Sequence, residues 1–374
     1  MKNRIQFQLS KLRRRKGVTQ QEIADIIGTS FQNVSKWETG VTMPDITVLP
    51  VLASYFEVTV DELLGLVPLK DEEYICEETD SREFWNERLE YLLRTKKSNW
   101  NLDYLKFLIR DVWKIREPVD ILDCGCGYGY MAVLMMPLLP EGSTYTGIDF
   151  ADKLIEYGTE LLKEQGVKGK LVSTDFLSAP VKQHYDVVMT QSVLRHIGDS
   201  RPFIKKMMEF GKKGSLIVCI DSNRELESAG LFVDGMDYDF LCDRHGAEKH
   251  WKSEFENGDR DYAAAMRNAY VMRELGLQDV EVRMNDKVSF VCPEKENYRQ
   301  TVEDLLRQDD LWYHGSDEIK RLMSHGMSRE EAELYSQKGR VLAEYFAEHE
   351  DDVCYTWFRG KTISFGRKGG ERNE

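Results

Sequence analysis

The sequence predicts two domains of different class. A small all-α helix-turn-helix domain stands first, and a larger α/β, Rossmann-like domain comes after it, with a helical insertion before its last strand. Three observations carry this. Residues 4–66 hold short, capped helical segments with no strand pattern between them. From residue 119 onward, strand-like apolar runs alternate with helical periodicities, the pattern of a parallel sheet covered on both faces. The first of those runs, Val119 to Asp123, ends in the turn Cys124-Gly125-Cys126-Gly127-Tyr128-Gly129, where glycines let the backbone approach a ligand closely.

In order along the chain, LSKLRRRKG ends at Gly17, a natural helix stop. Thr19 caps the next segment, with Glu22 completing a capping box, and Gly28 stops it. Ser30 or Thr29 caps SFQNVSKWETG, which stops at Gly40. The fourth segment contains Pro50, so its helix must start late, near Thr47, with the proline in the first turn. The domain is bounded at 1–66. Residues 67–83 are acidic and aperiodic and form the linker, with Ser81 capping the next helix. The second domain covers 84–374. It opens on a helical stretch to about 116, then has strands near 119–123, 144–149, 170–174, 185–190 and 215–220. Insertions lie at 223–262 and 296–350. The second separates the strands VRMNDKVSFVC and YTWFRGKTISFG, and the polar tail from Arg367 is expected to fray.

Of the 374 residues 41% are hydrophobic and 31% charged, an ordinary globular composition. No apolar run approaches the roughly 18 residues that span a bilayer, and the basic N-terminus lacks the apolar region of a signal peptide. Seven cysteines in such a length fit a reducing compartment. The expectation is a cytoplasmic protein with no membrane partner. The net charge of −14 is unevenly spread: residues 1–16 carry seven Lys/Arg and no acid, while residues 67–374 hold 43 basic and 58 acidic side chains. Only the N-terminal face suits a polyanion, so nucleic acid is disfavoured as the substrate of the large domain.

Gly17, Thr19-Gln20-Gln21-Glu22-Ile23-Ala24, Gly28, Ser30, Val34-Ser35-Lys36-Trp37-Glu38, Gly40 and Asp61-Glu62-Leu63-Leu64 together resemble the lambda-repressor/Cro-like (XRE-type) helix-turn-helix domain. The resemblance covers residues 4–66. It implies that helix 30–38 enters the major groove of double-stranded DNA, with Val34 and Trp37 facing the core. Phe31, Gln32, Ser35 and Lys36 are then left for base edges and nearby phosphate. Gln20 and Asn33 are candidates for phosphate contact. The family pairs an Arg of helix 1 with a Glu after the recognition helix, here Arg13 and Glu38. It also implies a homodimer on two half-sites.

In the second domain, Tyr145-Thr146-Gly147-Ile148-Asp149 is a strand ending in an acid 20 residues after Gly129. A carboxylate there can bind both hydroxyls of a ribose. Ser173-Thr174-Asp175-Phe176 ends a third strand with an acid suited to an adenine amino group. His184 to Met189 begins a fourth strand. These pieces resemble class I S-adenosylmethionine-dependent methyltransferases of the ubiquinone/menaquinone-methylase kind, over residues 82–292 and the final strand. By that resemblance Asp123 and Gly125 hold the methionine end of S-adenosylmethionine, and Gly127 and Gly129 make the turn. Asp149 takes the ribose, Phe150 flanks the adenine, Asp175 and Phe176 recognise it, and Gln191 lines the methionine side. A nicotinamide dinucleotide would require a third glycine three residues on and no acid beside its pyrophosphate; Tyr128, Tyr130 and Asp123 speak against it. Cys124 and Cys126 lack two neighbouring ligands, so they read as small packing side chains and no metal is expected.

After the fourth strand stands Thr190-Gln191-Ser192-Val193-Leu194, neither the Asp/Asn-Pro-Pro-aromatic motif of exocyclic-amine methylases nor a Pro-Cys nucleophile. The methyl acceptor is therefore expected to be a small organic molecule. His196 is the candidate base, although a helix-cap role serves its position equally well. His245 and His250 read as a solvated helix face, and Asp234, Asp237, Tyr238 and Asp239 as a pocket lid or surface loop. Trp312, Tyr313, Tyr335, Tyr345 and Phe346 of the later insertion are expected to be core, in a segment that roofs the site together with the first helices at 82–116. The expected function is a methyltransferase fused to a sequence-specific transcriptional regulator. The alternatives are an S-adenosylmethionine-sensing regulator without catalysis and a nucleic acid methyltransferase.

Overall fold

The computed structural model describes residues 7–65, 78–96, 99–223, 230–256, 261–306, 319, 322–323, 325–349 and 352–369. The chain divides into two compact units, Met1–Glu78 and Thr79–Glu374. The division falls inside the expected linker. Ser81 lies within a helix of the second unit rather than capping one.

The first unit holds α1 (Leu9–Lys16), α2 (Gln20–Ile27), α3 (Phe31–Glu38), α4 (Leu49–Phe56) and α5 (Val60–Leu63). Its helix ends obey the sequence signals. Thr19 and Glu22 form the reciprocal capping box, and the Ser30 hydroxyl accepts from Asn33 N. Gly17 and Gly28 take left-handed conformations at the ends of α1 and α2. Pro50 falls in the first turn of α4. Leu9, Ile23, Ala24, Val34, Leu52 and Leu63 are fully buried and make one core. Each large apolar side chain so buried contributes about 1.5–3 kcal/mol, which a domain this small requires.

The second unit begins with α6 (Glu78–Asn86), α7 (Leu89–Lys96), α8 (Leu102–Phe107) and a π turn, Leu108–Val112. The expected helical stretch is thus made of several helices. The chain then builds β1 (Asp120–Cys124), α9 (Tyr130–Met135), β2 (Thr144–Asp149), α10 (Asp152–Glu164), β3 (Lys170–Ser173), β4 (Tyr185–Gln191), α11 (Arg201–Phe210) and β5 (Gly211–Asp221). Next come β6 (Leu231–Val233), α12 (Tyr238–Cys242), α13 (Ala247–Glu256), α14 (Ala264–Glu274), β7 (Gln278–Asn285) and β8 (Val288–Val291). The unit ends with α15 (Tyr298–Leu306), α16 (Arg329–Glu348), β9 (Tyr355–Phe358) and β10 (Lys361–Arg367).

The main sheet has the order β3-β2-β1-β4-β5-β10-β7. Strands β1 to β5 are parallel to their neighbours, and β10 runs antiparallel between β5 and β7. The central strands are buried on both faces. Leu122, Val188, Ile217 and Cys219 point to one apolar layer, and Ile121, Val187, Met189, Val218 and Ile220 to the other. This explains their near-continuous apolar runs. The order reverses between β1 and β4, and in open α/β sheets ligands bind at the carboxyl ends of the strands at that point.

Two features differ from the sequence expectation. Each of the long strands VRMNDKVSFVC and YTWFRGKTISFG is broken in two. β7 and β10 stay in the main sheet, while β8 and β9 leave it and join β6 in a second sheet of order β6-β9-β8. The breaks fall where the chain turns through Asp286-Lys287 and Arg359-Gly360. The two insertions therefore build one accessory layer. Its core takes Leu231 and Val233 from β6, Leu241 from α12, Leu305, Leu342 and Phe346 from α15 and α16, and Tyr355 and Trp357 from β9. Tyr345 and Tyr335 pack at apolar clusters, as expected; Trp312 and Tyr313 lie outside the described residues. The tail does not fray at Arg367, which still pairs with Leu216, and Lys368 N donates to Ser215 O.

Candidate functional site

The glycine turn after β1 sits at the strand-order reversal. Gly125, Gly127 and Gly129 have φ of 77°, 56° and 76°, which favours glycine at all three. Gly125 N and Cys126 N both donate to Ile148 O, at 2.7 and 3.0 Å, tying the turn to the end of β2. At that end the Asp149 carboxylate accepts from Gly127 N (2.7 Å) and Ala151 N (2.9 Å). A Cβ on Gly125 would lie 2.4 Å from Val193 Cγ2, and one on Gly147 would lie 2.6 Å from Cys126 Sγ. The turn, the β2 end and the exit from β4 are thus drawn together too closely for a side chain at Gly125 or Gly147. Cys124 and Cys126 are buried packing groups.

Asp123 lies beneath this turn, 1% exposed, and accepts from the Tyr145 hydroxyl at 2.5 Å. Burial pushes that phenol well above its ordinary range, with the charge of Asp123 adding to the effect, so Tyr145 is a fixed donor. Asp175 accepts from Leu177 N and Ser178 N, both at 3.1 Å, and closes the turn after β3. Phe150 is half-buried. The Phe176 ring is in the core, with centroids 4.7 Å from Phe203 and 5.5 Å from Phe210. The ring is committed to packing in that core. Gln191 is 5% exposed, and neither its Nε2 nor its Oε1 has a hydrogen-bond partner among the described residues. A buried amide with both ends unmet costs about 1–3 kcal/mol, a cost that a bound polar ligand would offset.

Helices α6 and α7 cover the turn. Trp85, Leu89, Tyr91, Leu92 and Leu93 pack with Tyr128, Tyr130, Ala151 and Leu154. Asn86 holds the start of α10 through Asp152 Oδ1 (2.7 Å) and Lys153 N (3.1 Å). Burial pushes the Tyr130 phenol up to about 12. His196 lies in the turn Leu194–His196 after β4, half-buried, its ring edge-on to Trp85 with centroids 5.2 Å apart. The roof thus comes from the helices before β1. Of the later insertion, also expected there, the described helices α15 and α16 pack onto the second sheet. A cavity of about 340 Å³ lies between the start of α8 and α9, lined by Trp100, Asn101, Leu102, Asp103, Tyr130, Leu134 and Lys287.

Sequence reasoning missed a polar cluster at the carboxyl end of β5. Asp221 is fully buried, and burial pushes its carboxyl from 3.8 up to about 7, against the opposing pull of Arg195, Lys361 and Asn268. Its Oδ2 accepts from Asn268 Nδ2 of α14 at 3.3 Å, and its Oδ1 has no hydrogen-bond partner among the described residues. The Arg195 main chain and charge both act to lower this carboxyl, against the larger effect of burial. Arg195 O in turn accepts from Asp261 N at 3.1 Å. Lys361, 6% exposed, donates to the Ser222 hydroxyl. The signal was present in the sequence as a lone acid ending an apolar strand, but its partners lie 26 to 140 positions away.

His245 and His250 do not form a solvated helix face. Their side chains are 8% and 4% exposed. His245 holds a positive φ of 47° before α13, and its imidazole is pushed down by burial and by Lys338. His250 packs its ring 4.8 Å from that of His325. Asp234 O accepts from the Tyr345 hydroxyl, and Asp237 caps α12, with Tyr238 and Asp239 in its first turn.

In the first unit Val34 and Trp37 are buried, while Phe31, Gln32, Asn33 and Lys36 are exposed and Ser35 half-buried on α3. Arg13 and Glu38 make the expected pair, Nε–Oε1 2.6 Å and Nη2–Oε2 3.0 Å. Gln20 Nε2 donates to the same carboxylate at 2.8 Å, so its amide N–H is engaged within the domain. Burial works to raise the Glu38 carboxyl, but hydrogen bonds from Arg13 and Gln20 outweigh it and leave it below its ordinary value. No described helix is long and apolar enough to cross a membrane. No cluster of three His, Cys, Asp or Glu side chains suited to a metal occurs among the described residues.

Comparison with known proteins gives two family matches. Residues 115–303, just over half of the chain, match the model of a methyltransferase domain, and residues 9–63 match a helix-turn-helix model. Among curated relatives, ubiquinone biosynthesis O-methyltransferase of Nitrosospira multiformis is 32% identical over 121 residues, 32% of this chain and 49% of that protein. The protein of the same name from Rickettsia canadensis is 30% identical over 137 residues, 37% and 51%. The chain thus spans about half the length of the curated relatives it matches. Among solved structures it is similar to phosphoethanolamine N-methyltransferase 2 of Haemonchus contortus, at 12% identity and a TM-score of 0.42, covering 76% of this chain and 59% of that one. It is also similar to YcgJ of Bacillus subtilis, at 12% and 0.40, covering 72% and 99%.

Proposed function

We propose, from the premise that this chain belongs to the methyltransferase-domain family, that it is an S-adenosylmethionine-dependent methyltransferase acting on a hydroxyl of a small organic molecule. The cofactor is S-adenosylmethionine. The observation that carries the reading is the junction of the Gly125–Gly129 turn with Asp149: a carboxylate at the end of β2, 2.7 Å from Gly127 N, beside a turn whose three glycines all hold positive φ.

When bound, the cofactor supplies an electrophilic methyl group on a sulfonium. Asp149 would hold the ribose hydroxyls, and Phe150, Asp175 and the main chain of Phe176 the adenine. Asp123, fixed by Tyr145, would hold the methionine end with Gly125, Gly127, Gly129 and Gln191. Gln191 supports this directly, since its buried amide has both a donor and an acceptor to offer. Helices α6 and α7 exclude water. The acceptor meets the site from the β4 and β5 side. There His196 takes the hydroxyl proton, and the unmet oxygen of Asp221 orients the hydroxyl. A hydroxyl rather than an apolar acceptor is supported by these two proton-accepting groups and by the O-methyltransferase names of the curated relatives. The family's part here is positioning: nucleophile and methyl must be held in line.

The N-terminal domain is proposed to bind double-stranded DNA through Phe31, Gln32, Ser35 and Lys36, with Asn33 and Gln20 near phosphate, as a dimer on two half-sites inside the cell. Support comes from the exposed face of α3 and the basic first helix.

Isothermal titration with S-adenosylmethionine and S-adenosylhomocysteine tests the central reading. Both are expected to bind the wild-type protein, with affinity reduced at least about tenfold in Asp149→Ala, the loss of roughly 1.4 kcal/mol or more of hydrogen bonding to ribose. An Asp149→Ala protein that binds as the parent does would overturn the site.

A further inference from the structure

Cys292 and Cys354 stand 62 positions apart in the sequence, yet the strand register sets them opposite each other. β8 and β9 pair antiparallel from Val288↔Phe358 to Val291↔Tyr355, and one further step in that register is Cys292↔Cys354. The hydrogen bonds define which kind of pair this is. Residues of β9 with even numbers turn their polar groups to β6: Asp234 N donates to Cys354 O, and Phe358 N to Gly230 O. The odd-numbered Arg359 donates its N–H to Lys287 O on the β8 side. Cys354 and Cys292 are therefore a non-hydrogen-bonded pair, the kind in which opposed Cα atoms come to about 4.5 Å and side chains stand closest. That separation lies within the roughly 4.4–6.8 Å that a disulfide bridges.

Both side chains point the same way. Val353, Tyr355 and Val291 face the buried core of the accessory layer, so Cys354 and Cys292 share the opposite, outer face with Phe290. That face is open: Phe290 is 56% exposed, and both cysteines are half-buried and carry free thiols. The Cys292 thiol is pushed up by its hydrogen bond to Glu294 and by the charge of Glu294, and the presence of Cys354 acts in the same direction, as two facing thiols require.

We propose that Cys292 and Cys354 form a reversible disulfide across β8 and β9, a redox modification site whose oxidant is a low-molecular-weight disulfide such as oxidised glutathione. The Cys354 thiolate attacks one sulfur of the oxidant. A mixed disulfide forms and one glutathione thiolate leaves. The Cys292 thiol, losing its proton toward Glu294 or water, then attacks Cys354 Sγ and displaces the second glutathione. Two thiols become one disulfide, the oxidant takes up both electrons, and the two protons pass through solvent to the two glutathione thiolates. Cys354 attacks first because the Glu294 carboxylate disfavours a thiolate at Cys292. The bond would fasten the strands by which the accessory sheet leaves the main one, since β7 runs directly into β8 and β9 into β10.

The test uses the full-length protein, incubated with oxidised glutathione, alkylated to block remaining thiols, and mapped by peptide mass spectrometry. The expected result is a linked Cys292–Cys354 peptide pair about 2 Da lighter than the sum of its thiol forms, appearing before any other link and reversed by dithiothreitol. In Cys292→Ser the link is replaced by a glutathione adduct held on Cys354. Linkage of either cysteine to Cys76 or Cys242 instead, or glutathione adducts on both cysteines of the wild-type protein with no link, overturns the proposal. The wild-type map decides the question even if a variant folds poorly.

Discussion

Asp221 gives the sharpest quantitative prediction, because the burial on which its proposed role rests must cost stability. Its carboxyl is pushed from 3.8 to about 7, first by desolvation and against the pull of Arg195 and Lys361. Linkage sets the sign. Below about pH 4 folded and unfolded chains both hold the proton. Between about pH 4 and pH 7 the unfolded chain releases it and the folded chain does not, so stability falls as pH rises. Above about pH 7 both are ionised and the full cost remains, on the order of 4 kcal/mol for a carboxyl held that far above its ordinary value. Asp221→Asn keeps the shape and cannot ionise. Comparing variant with parent cancels the other titrating groups, so their stability difference should move in favour of the variant by about 2 kcal/mol between about pH 5.5 and pH 8. Urea unfolding of the second unit, followed by tryptophan fluorescence at the two pH values, reads that difference. Parallel pH curves for variant and parent would refute the buried, proton-holding carboxylate. The variant is also expected to keep the parent's affinity for S-adenosylhomocysteine, because Asp221 lies on β5 rather than at the glycine turn, while losing methyl transfer. Higher stability bought with lost activity marks a functional rather than a structural acid.

Two further outcomes rest on distances in the structure. Gly125→Ala places a methyl 2.4 Å from Val193 Cγ2 at a φ of 77°; it should cost about 1–3 kcal/mol of stability and weaken S-adenosylhomocysteine binding at least tenfold by calorimetry, and unchanged binding would mean that this turn does not hold the ligand. Glu38→Gln breaks a charge-assisted, bidentate pair and strands Arg13, whose side chain is 16% exposed; the helical domain should lose about 1.5–3 kcal/mol. Because the Glu38 carboxyl is held below its ordinary value, the parent's advantage over the variant should be full near neutrality and shrink as pH falls through the acid range. A pH-independent gap in circular-dichroism melts would show that the pair's charge is not what stabilises it.

The sequence alone determined what depends on local chemistry. Caps at Thr19 and Ser30, the stops at Gly17 and Gly28 and the late start forced by Pro50 are events within one helical turn, so the first domain could be read almost residue by residue. The Arg13–Glu38 pair came from a family resemblance rather than from spacing. The βα alternation and the glycine turn were equally legible, because strand, turn and helix succeed one another along the chain. Tertiary structure decided whatever depends on partners far apart in sequence. A continuous apolar run cannot show that it crosses from one sheet to another, as at Asp286-Lys287 and Arg359-Gly360. The polar look of His245 and His250 gives no sign that another helix covers them. Nor does the sequence show that Phe203 and Phe210 close on the ring of Phe176. Asp221 is an ordinary acid in the sequence, and only packing by α14, with Lys361 and Arg195 nearby, removes its water and raises its proton affinity. Burial and strand register are properties of the assembled layers, and no short window of residues contains them.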